Sequence, residues 1–157
     1  KYITKILSAV NHMHDESIMH SDIRPENIML DKDDGIKIVD LRVNTNKKYV
    51  KAHSKEEDFP YYLAPEVLSK NSKSVKESDI WAVGVLFYNL LSGKQPFAGD
   101  TYAEVENNVK NKIIKFNHVE FDLVSDDAKD LILKLLEKNP TQRINAQDAL
   151  EHDWFKK

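Results

Sequence analysis

From Ile80 to Leu91 the sequence is apolar almost without interruption, relieved only by Gly84, Tyr88 and Asn89. Such a run is shorter than the roughly 20 residues a helix needs to cross a bilayer. Apolar residues on every side of a helix instead place it in the middle of a domain. The pattern therefore predicts a buried helix serving as the hydrophobic axis, with the other segments folded around it. Ser74-Val75-Lys76-Glu77 just upstream reads as its capping box.

The chain has enough material to cover such an axis. Its 157 residues, 41% of them hydrophobic, suit one globular unit with a real core. A net charge of -3 offers no basic field for nucleic acid or an anionic membrane, so neither is expected as a partner. The absence of cysteine removes disulfides and thiolate metal sites, and it is compatible with an intracellular, cytoplasmic setting. The N-terminus lacks the pattern of a signal peptide, and Lys1 is not an initiator methionine, so a piece of a longer chain is expected.

Helical signals recur on both sides of the axis. Ile3, Ile6, Leu7, Val10 and Met13 mark an amphipathic helix ending near His14. After the axis, Gly93, Pro96 and Gly99 punctuate the chain, and Thr101-Tyr102-Ala103-Glu104 caps a largely polar, exposed helix. Ser125 starts a helix carrying the stripe Leu131, Ile132, Leu135 and Leu136, stopped by Asn139-Pro140. Asn145 caps a last short helix, and Trp154-Phe155 anchors the tail. Between the first helix and the axis, Ile28-Met29-Leu30 and Ile36 to Val39 form a hairpin around Asp33-Asp34-Gly35. The polar, lysine-rich stretch from Val43 to Asp58 reads as a surface loop.

The hairpin has chemistry at both ends. His20-Ser21-Asp22-Ile23-Arg24-Pro25-Glu26-Asn27 precedes it and Asp40 follows it. An aspartate, a cation, an amide and a second aspartate on neighbouring loops suit a metal-bound phosphate, because magnesium prefers hard oxygen donors and needs few from protein when phosphates and water complete its shell. Asp31-Lys32-Asp33-Asp34-Gly35 is not a calcium loop, since the ligand glutamate is missing at the required distance.

Three ordered signals, His-x-Asp-x-x-Pro-Glu-Asn at 20–27, the strand ending in Asp40, and Ala64-Pro65-Glu66, resemble the signature set of protein kinases. Asp79-Ile80-Trp81, Leu91-Ser92-Gly93 and Arg143 before Ala149-Leu150 extend the likeness over essentially the whole chain. Pro60-Tyr61-Tyr62-Leu63-Ala64 and Asp127-Ala128-Lys129-Asp130-Leu131 most resemble the calcium/calmodulin-dependent and calcium-dependent protein kinase group, which is of Ser/Thr type. The resemblance implies a mainly α fold: the helical C-lobe of a kinase, residues 1–157, with one small β-hairpin and the activation segment at 40–66. The glycine-rich, β-rich N-lobe is absent, because Gly35, Gly84, Gly93 and Gly99 make no phosphate cradle.

The resemblance also assigns roles. Asp22 would orient the attacking hydroxyl, Arg24 would touch the transferred phosphate where lysine is usual, and Asn27 and Asp40 would hold magnesium with ATP. His20 would pack beneath the loop, Asp79 would accept backbone N–H groups of the His20–Asp22 loop, and Glu66 would pair with Arg143. Partners implied are a protein substrate or other protein, the missing N-lobe, and a calmodulin-like domain outside this chain. Ser21, Arg42 and Asp58-Phe59 depart from the pattern by replacing arginine, the glycine of Asp-Phe-Gly, and Gly-Thr. Two readings follow. The first is a Ser/Thr kinase C-lobe inactive as this fragment, or a pseudokinase; the second is a non-catalytic docking or scaffold module using exposed helices and the Tyr61-Tyr62 surface.

Overall fold

The structure, a computed structural model, describes residues 1–41, 60–69 and 75–156. Among the described residues there are five α-helices and one two-stranded sheet: α1 Tyr2–Asp15, β1 Ile28–Leu30, β2 Ile36–Ile38, α2 Lys76–Ser92, α3 Tyr102–Asn111, α4 Asp126–Leu135 and α5 Ala146–Leu150. Short 3-10 turns lie at Pro25–Asn27, Val119–Phe121 and Asp153–Phe155. The fold is mainly α with a single hairpin among the described residues.

The axis is α2, buried continuously from Ser78 to Tyr88. Trp81, Val83 and Val85 meet solvent nowhere, Phe87 is almost fully buried, and α1 and α4 pack directly against this helix. Gly84 lets α4 approach: a Cβ there would lie 2.9 Å from the Leu135 Cβ and 2.9 Å from Leu136 Cδ2. The helix ends at Gly93 in the left-handed region (φ 66°), where its N–H donates to the Asn89 carbonyl at 2.7 Å. At the other end, the Val75 N–H donates to Ser78 Oγ at 3.2 Å. The cap at this end is therefore the pair Val75 and Ser78; Ser74, which the sequence offered as the cap, lies outside the described residues.

The flanking helices obey their apolar stripes. α1 buries Ile3, Ile6, Leu7, Val10 and His14, each aliphatic side chain contributing about 1.5–3 kcal/mol on burial. Thr101 and Ser125 accept from the Glu104 and Ala128 amides, and Asn145 from Asp148, so all three N-caps are made. α3 is polar outside but sinks Val105 and Val109 completely into the core. α4 ends at Leu135, before Asn139-Pro140 is reached. Aromatic rings fill what the helices leave. Trp81 stacks on Phe97 at 5.2 Å, Phe121 meets Tyr88 at 4.8 Å, and Trp154 reaches Phe87 at 4.6 Å. No described helix is long and apolar enough to cross a membrane.

β1 and β2 are antiparallel, pairing Ile28 with Ile38 and Leu30 with Ile36. Asp31 organises their turn by accepting from the Asp33 and Gly35 amides, and Asp34 carries the left-handed turn residue (φ 59°). β2 stops one residue short of Val39, whose N–H turns to the Asn27 carbonyl at 2.9 Å. That bond fastens the end of the hairpin to its beginning.

Candidate active site

Between α1 and β1 the chain runs irregularly through His20–Arg24, yet His20 and Asp22 are buried. Irregular backbone at depth needs partners for its N–H groups. Asp79, on the first turns of α2 and 1% exposed, provides them. Its Oδ2 accepts the His20 N–H at 2.9 Å and its Oδ1 the Ser21 N–H at 2.8 Å, while Ser21 adopts a left-handed φ of 66°. His14 of α1 joins the same carboxylate through Nε2 at 3.0 Å. One aspartate on the core helix thus holds the loop and the end of α1 together.

His20 carries the register onward. Its Nε2–H donates to the Val39 carbonyl at 2.9 Å, which leaves Nδ1 to accept the Asp22 N–H at 3.3 Å. Asn27 closes the loop: Nδ2 donates to the Asp22 carbonyl at 2.8 Å and to Asp22 Oδ2 at 3.1 Å. With the amide nitrogen committed to Asp22, the Asn27 Oδ1 is left as an acceptor. Asp40 follows Val39 at once, exposed and left-handed (φ 60°). Its backbone is therefore placed by two bonds, from Val39 to His20 and to Asn27.

Arg24 is paired within its own loop. Its Nε and Nη2 donate to Glu26 Oε2 and Oε1 at 2.9 and 3.2 Å across Pro25, a two-bond fork. The guanidinium holds the Glu26 carboxyl below its usual range. Arg42 and Asp58-Phe59 lie outside the described residues.

A second buried assembly ties the 60–69 segment to the helices behind it. Arg143, 5% exposed, donates to both carboxylate oxygens of Glu66, at 2.7 and 3.0 Å. Ser78 Oγ donates to the same carboxylate at 3.2 Å. Tyr61 and Tyr62 are part-buried against the core, and burial raises the Tyr62 phenol above its ordinary pKa.

Sequence reasoning missed three contributors. His14 occupies the next position of the stripe Ile3, Ile6, Leu7, Val10, so its depth in α1 was a readable signal. Lys76, whose Nζ donates to the His14 carbonyl, and Ser78 looked like ordinary first-turn polar residues.

A family model described as the protein kinase domain matches residues 1–155. The chain belongs to the protein kinase family. It is 39% identical over 160 residues to Calcium-dependent protein kinase 4 of Plasmodium falciparum, covering 99% of this chain and 30% of that protein. Calcium-dependent protein kinase 25 of Arabidopsis thaliana is 40% identical over 154 residues, with 96% of this chain and 29% of that protein covered. Serine/threonine-protein kinase 17A of Oryctolagus cuniculus is 36% identical over 158 residues, with 99% and 40% covered. The kinase chain thus resembles Ser/Thr enzymes of the calcium-dependent group while spanning about a third of the length of these relatives. The helices and the single hairpin correspond to the helical lobe of the kinase fold.

Proposed function

We propose that this chain is the helical half of a Ser/Thr protein kinase that transfers phosphate from ATP to protein hydroxyls, in the calcium-dependent group. The observation that carries the reading is the closed loop in which Asn27 Nδ2 binds both the backbone and the side chain of Asp22. It joins a carboxylate to an amide, and the Asn27 carbonyl is bonded in turn to the N–H of Val39, the residue before Asp40. The donors are hard oxygens, with Asp22 buried, Asn27 part-buried and Asp40 exposed, a set that suits magnesium in company with phosphate. The ion would neutralise charge on the phosphates; Asn27 and Asp40 would hold it, and Asp22 would orient the attacking hydroxyl.

By itself the helical half lacks the groups that cover a nucleotide from the other side, so the 157 residues alone transfer no phosphate. The test is phosphorylation of a Ser/Thr peptide with ATP and magnesium by the full-length protein and by this chain. Activity in the full-length protein that Asp22→Asn abolishes supports the reading; activity in the isolated chain overturns the statement about the fragment.

The second reading, a pseudokinase scaffold, draws on the Arg24–Glu26 fork, which occupies the cation two residues from Asp22. Arg42→Gly together with Asp58→Gly and Phe59→Thr in the full-length protein separates the two. Nucleotide binding gained by these changes supports a disabled site, and unchanged binding to a protein partner favours scaffolding.

A further inference from the structure

Where the end of α1 meets the first turns of α2 and α5, the helices leave a cavity of about 260 Å³. Its walls include His14 and Asp15 of α1, Lys76, Glu77 and Ile80 of α2, and Gln147 of α5. Asp22, Arg24, Asn27 and Asp40 take no part in it. The volume is just below the roughly 300–1,000 Å³ of pockets that hold drug-sized ligands, so it suits one side-chain-sized group.

Acceptors dominate this wall. His14 is 8% exposed, and its Nε2–H donates to Asp79 Oδ2 at 3.0 Å, since a carboxylate there can only accept. Nδ1 is then a lone-pair acceptor. It meets no donor among the described residues and is not sealed from solvent, so it opens to the cavity that His14 lines. Glu77 is half-buried, and its carboxylate likewise meets no donor among the described residues; only its backbone carbonyl is used, by Arg143 at 2.6 Å. Asp15 accepts from Asn11 Nδ2 at 3.1 Å through Oδ2, which leaves Oδ1. The ammonium of Lys76 is turned to the His14 carbonyl. Two carboxylates against one ammonium leave the lining with an excess of negative charge.

A cation carrying several N–H groups is the complement of such a wall. Among the described residues no three His, Asp or Glu side chains come together as a metal site requires, so these acceptors are too dispersed for a divalent ion. An ammonium is a point charge, whereas a guanidinium spreads five N–H donors over a plane and can serve acceptors that stand apart. We propose that this cavity is a binding site for an alkylguanidinium group, with Glu77 as its counter-ion and His14 Nδ1 as a second acceptor.

The occupant rests on the ring that is bonded to Asp79, and Asp79 in turn holds the His20 and Ser21 amides at 2.9 and 2.8 Å. Filling the cavity therefore stiffens the loop that carries Asp22. The site stands whether or not that loop transfers phosphate.

The test is titration of the full-length protein with butylguanidinium and with butylurea, its uncharged counterpart, read by calorimetry and by hydrogen exchange at the His20 and Ser21 amides. Butylguanidinium is expected to bind in the millimolar range of so small a ligand, and butylurea at least about tenfold more weakly. At ten times its dissociation constant, butylguanidinium should slow exchange at both amides by about tenfold, the factor by which mass action favours the occupied form. Glu77→Gln should weaken binding by about tenfold, and Asp15→Asn, on an exposed carboxylate, should weaken it less while leaving the fold intact. A free alkylguanidine and an arginine side chain share this chemistry, and the peptide acetyl-Gly-Arg-Gly-amide distinguishes them: tighter binding than butylguanidinium supports a polypeptide source, and failure to displace it supports a small molecule. Butylguanidinium that does not bind or binds no better than butylurea, an affinity unmoved by either substitution, or binding that leaves His20 and Ser21 exchange unchanged overturns the proposal.

Discussion

Replacing Glu66 by alanine strips a buried guanidinium of its only carboxylate among the described contacts. The Arg143 side chain is 0% exposed and that of Glu66 13%. Its N–H groups donate to the carbonyls of Glu137 at 2.8 Å, Glu77 at 2.6 Å and Lys138 at 3.4 Å, and to the two Glu66 oxygens at 2.7 and 3.0 Å. The variant keeps the three carbonyl bonds and loses the two that neutralise charge. Breaking a buried pair from one side costs about 3–5 kcal/mol, because the surviving ion can neither leave nor be solvated. With a urea dependence of about 2 kcal/mol per molar, the unfolding midpoint of this lobe should fall by about 2 M. Trp81 fluorescence is a suitable probe, since Arg143 lies over that ring at 5.1 Å. A fall under about 0.5 M would place the pair among surface ion pairs worth about 1 kcal/mol or less and refute the reasoning.

Three further outcomes follow from the same geometry. Gly84→Ala should lower stability by about 1 kcal/mol or more in a thermal melt, the clash with Leu135 and Leu136 exceeding the helix-propensity gain of about 1 kcal/mol. Asp79→Asn should raise hydrogen exchange at the His20 and Ser21 amides by roughly tenfold or more, with smaller changes in α4, since each charged hydrogen bond contributes about 1.5–3 kcal/mol. The third concerns pH. Because burial first and the Arg143 guanidinium next hold the folded Lys138 pKa at about 8, below the ordinary 10.5, the unfolded chain binds the extra proton between these values, and folding becomes more favourable as pH rises through that window. The stability of the unmodified protein minus that of Lys138→Met should therefore climb from about pH 8 to about pH 10, a gain reduced by screening because the amine is only part-buried. A flat difference curve would count against it.

What could be read in advance divides by range. The all-round apolar run at Ile80–Leu91, the stripe of α1 and the caps Thr101, Ser125 and Asn145 are local patterns, and each produces its element where expected. The first turn of α2 was less legible, since serines at 74 and 78 offer two overlapping capping patterns and only backbone direction chooses between them. Contacts across long separations left weaker traces. Nothing local to His14 announces Asp79, 65 positions away, and nothing about Lys138 announces the Phe97 and Trp81 rings beside its amine. The carboxylate, amide and cation near Asp22 were readable as a set, whereas the fork from Arg24 to Glu26 depends on side-chain torsions around Pro25 that sequence spacing leaves open.

The two hydrogen bonds from Asp79 bear on the entropy of whatever the loop holds. A flexible loop must be ordered when its ligand arrives, and fixing each residue's backbone costs roughly 1–2 kcal/mol. Here the left-handed Ser21 and its neighbour His20 are fixed by a carboxylate rooted in the central helix, so their ordering is completed when the core assembles. A ligand reaching Asp22 would meet a surface already shaped, and its binding free energy would be spared that part of the cost. The same arrangement allows the loop's shape to outlast its chemistry, because the bonds that hold it involve neither nucleotide nor metal.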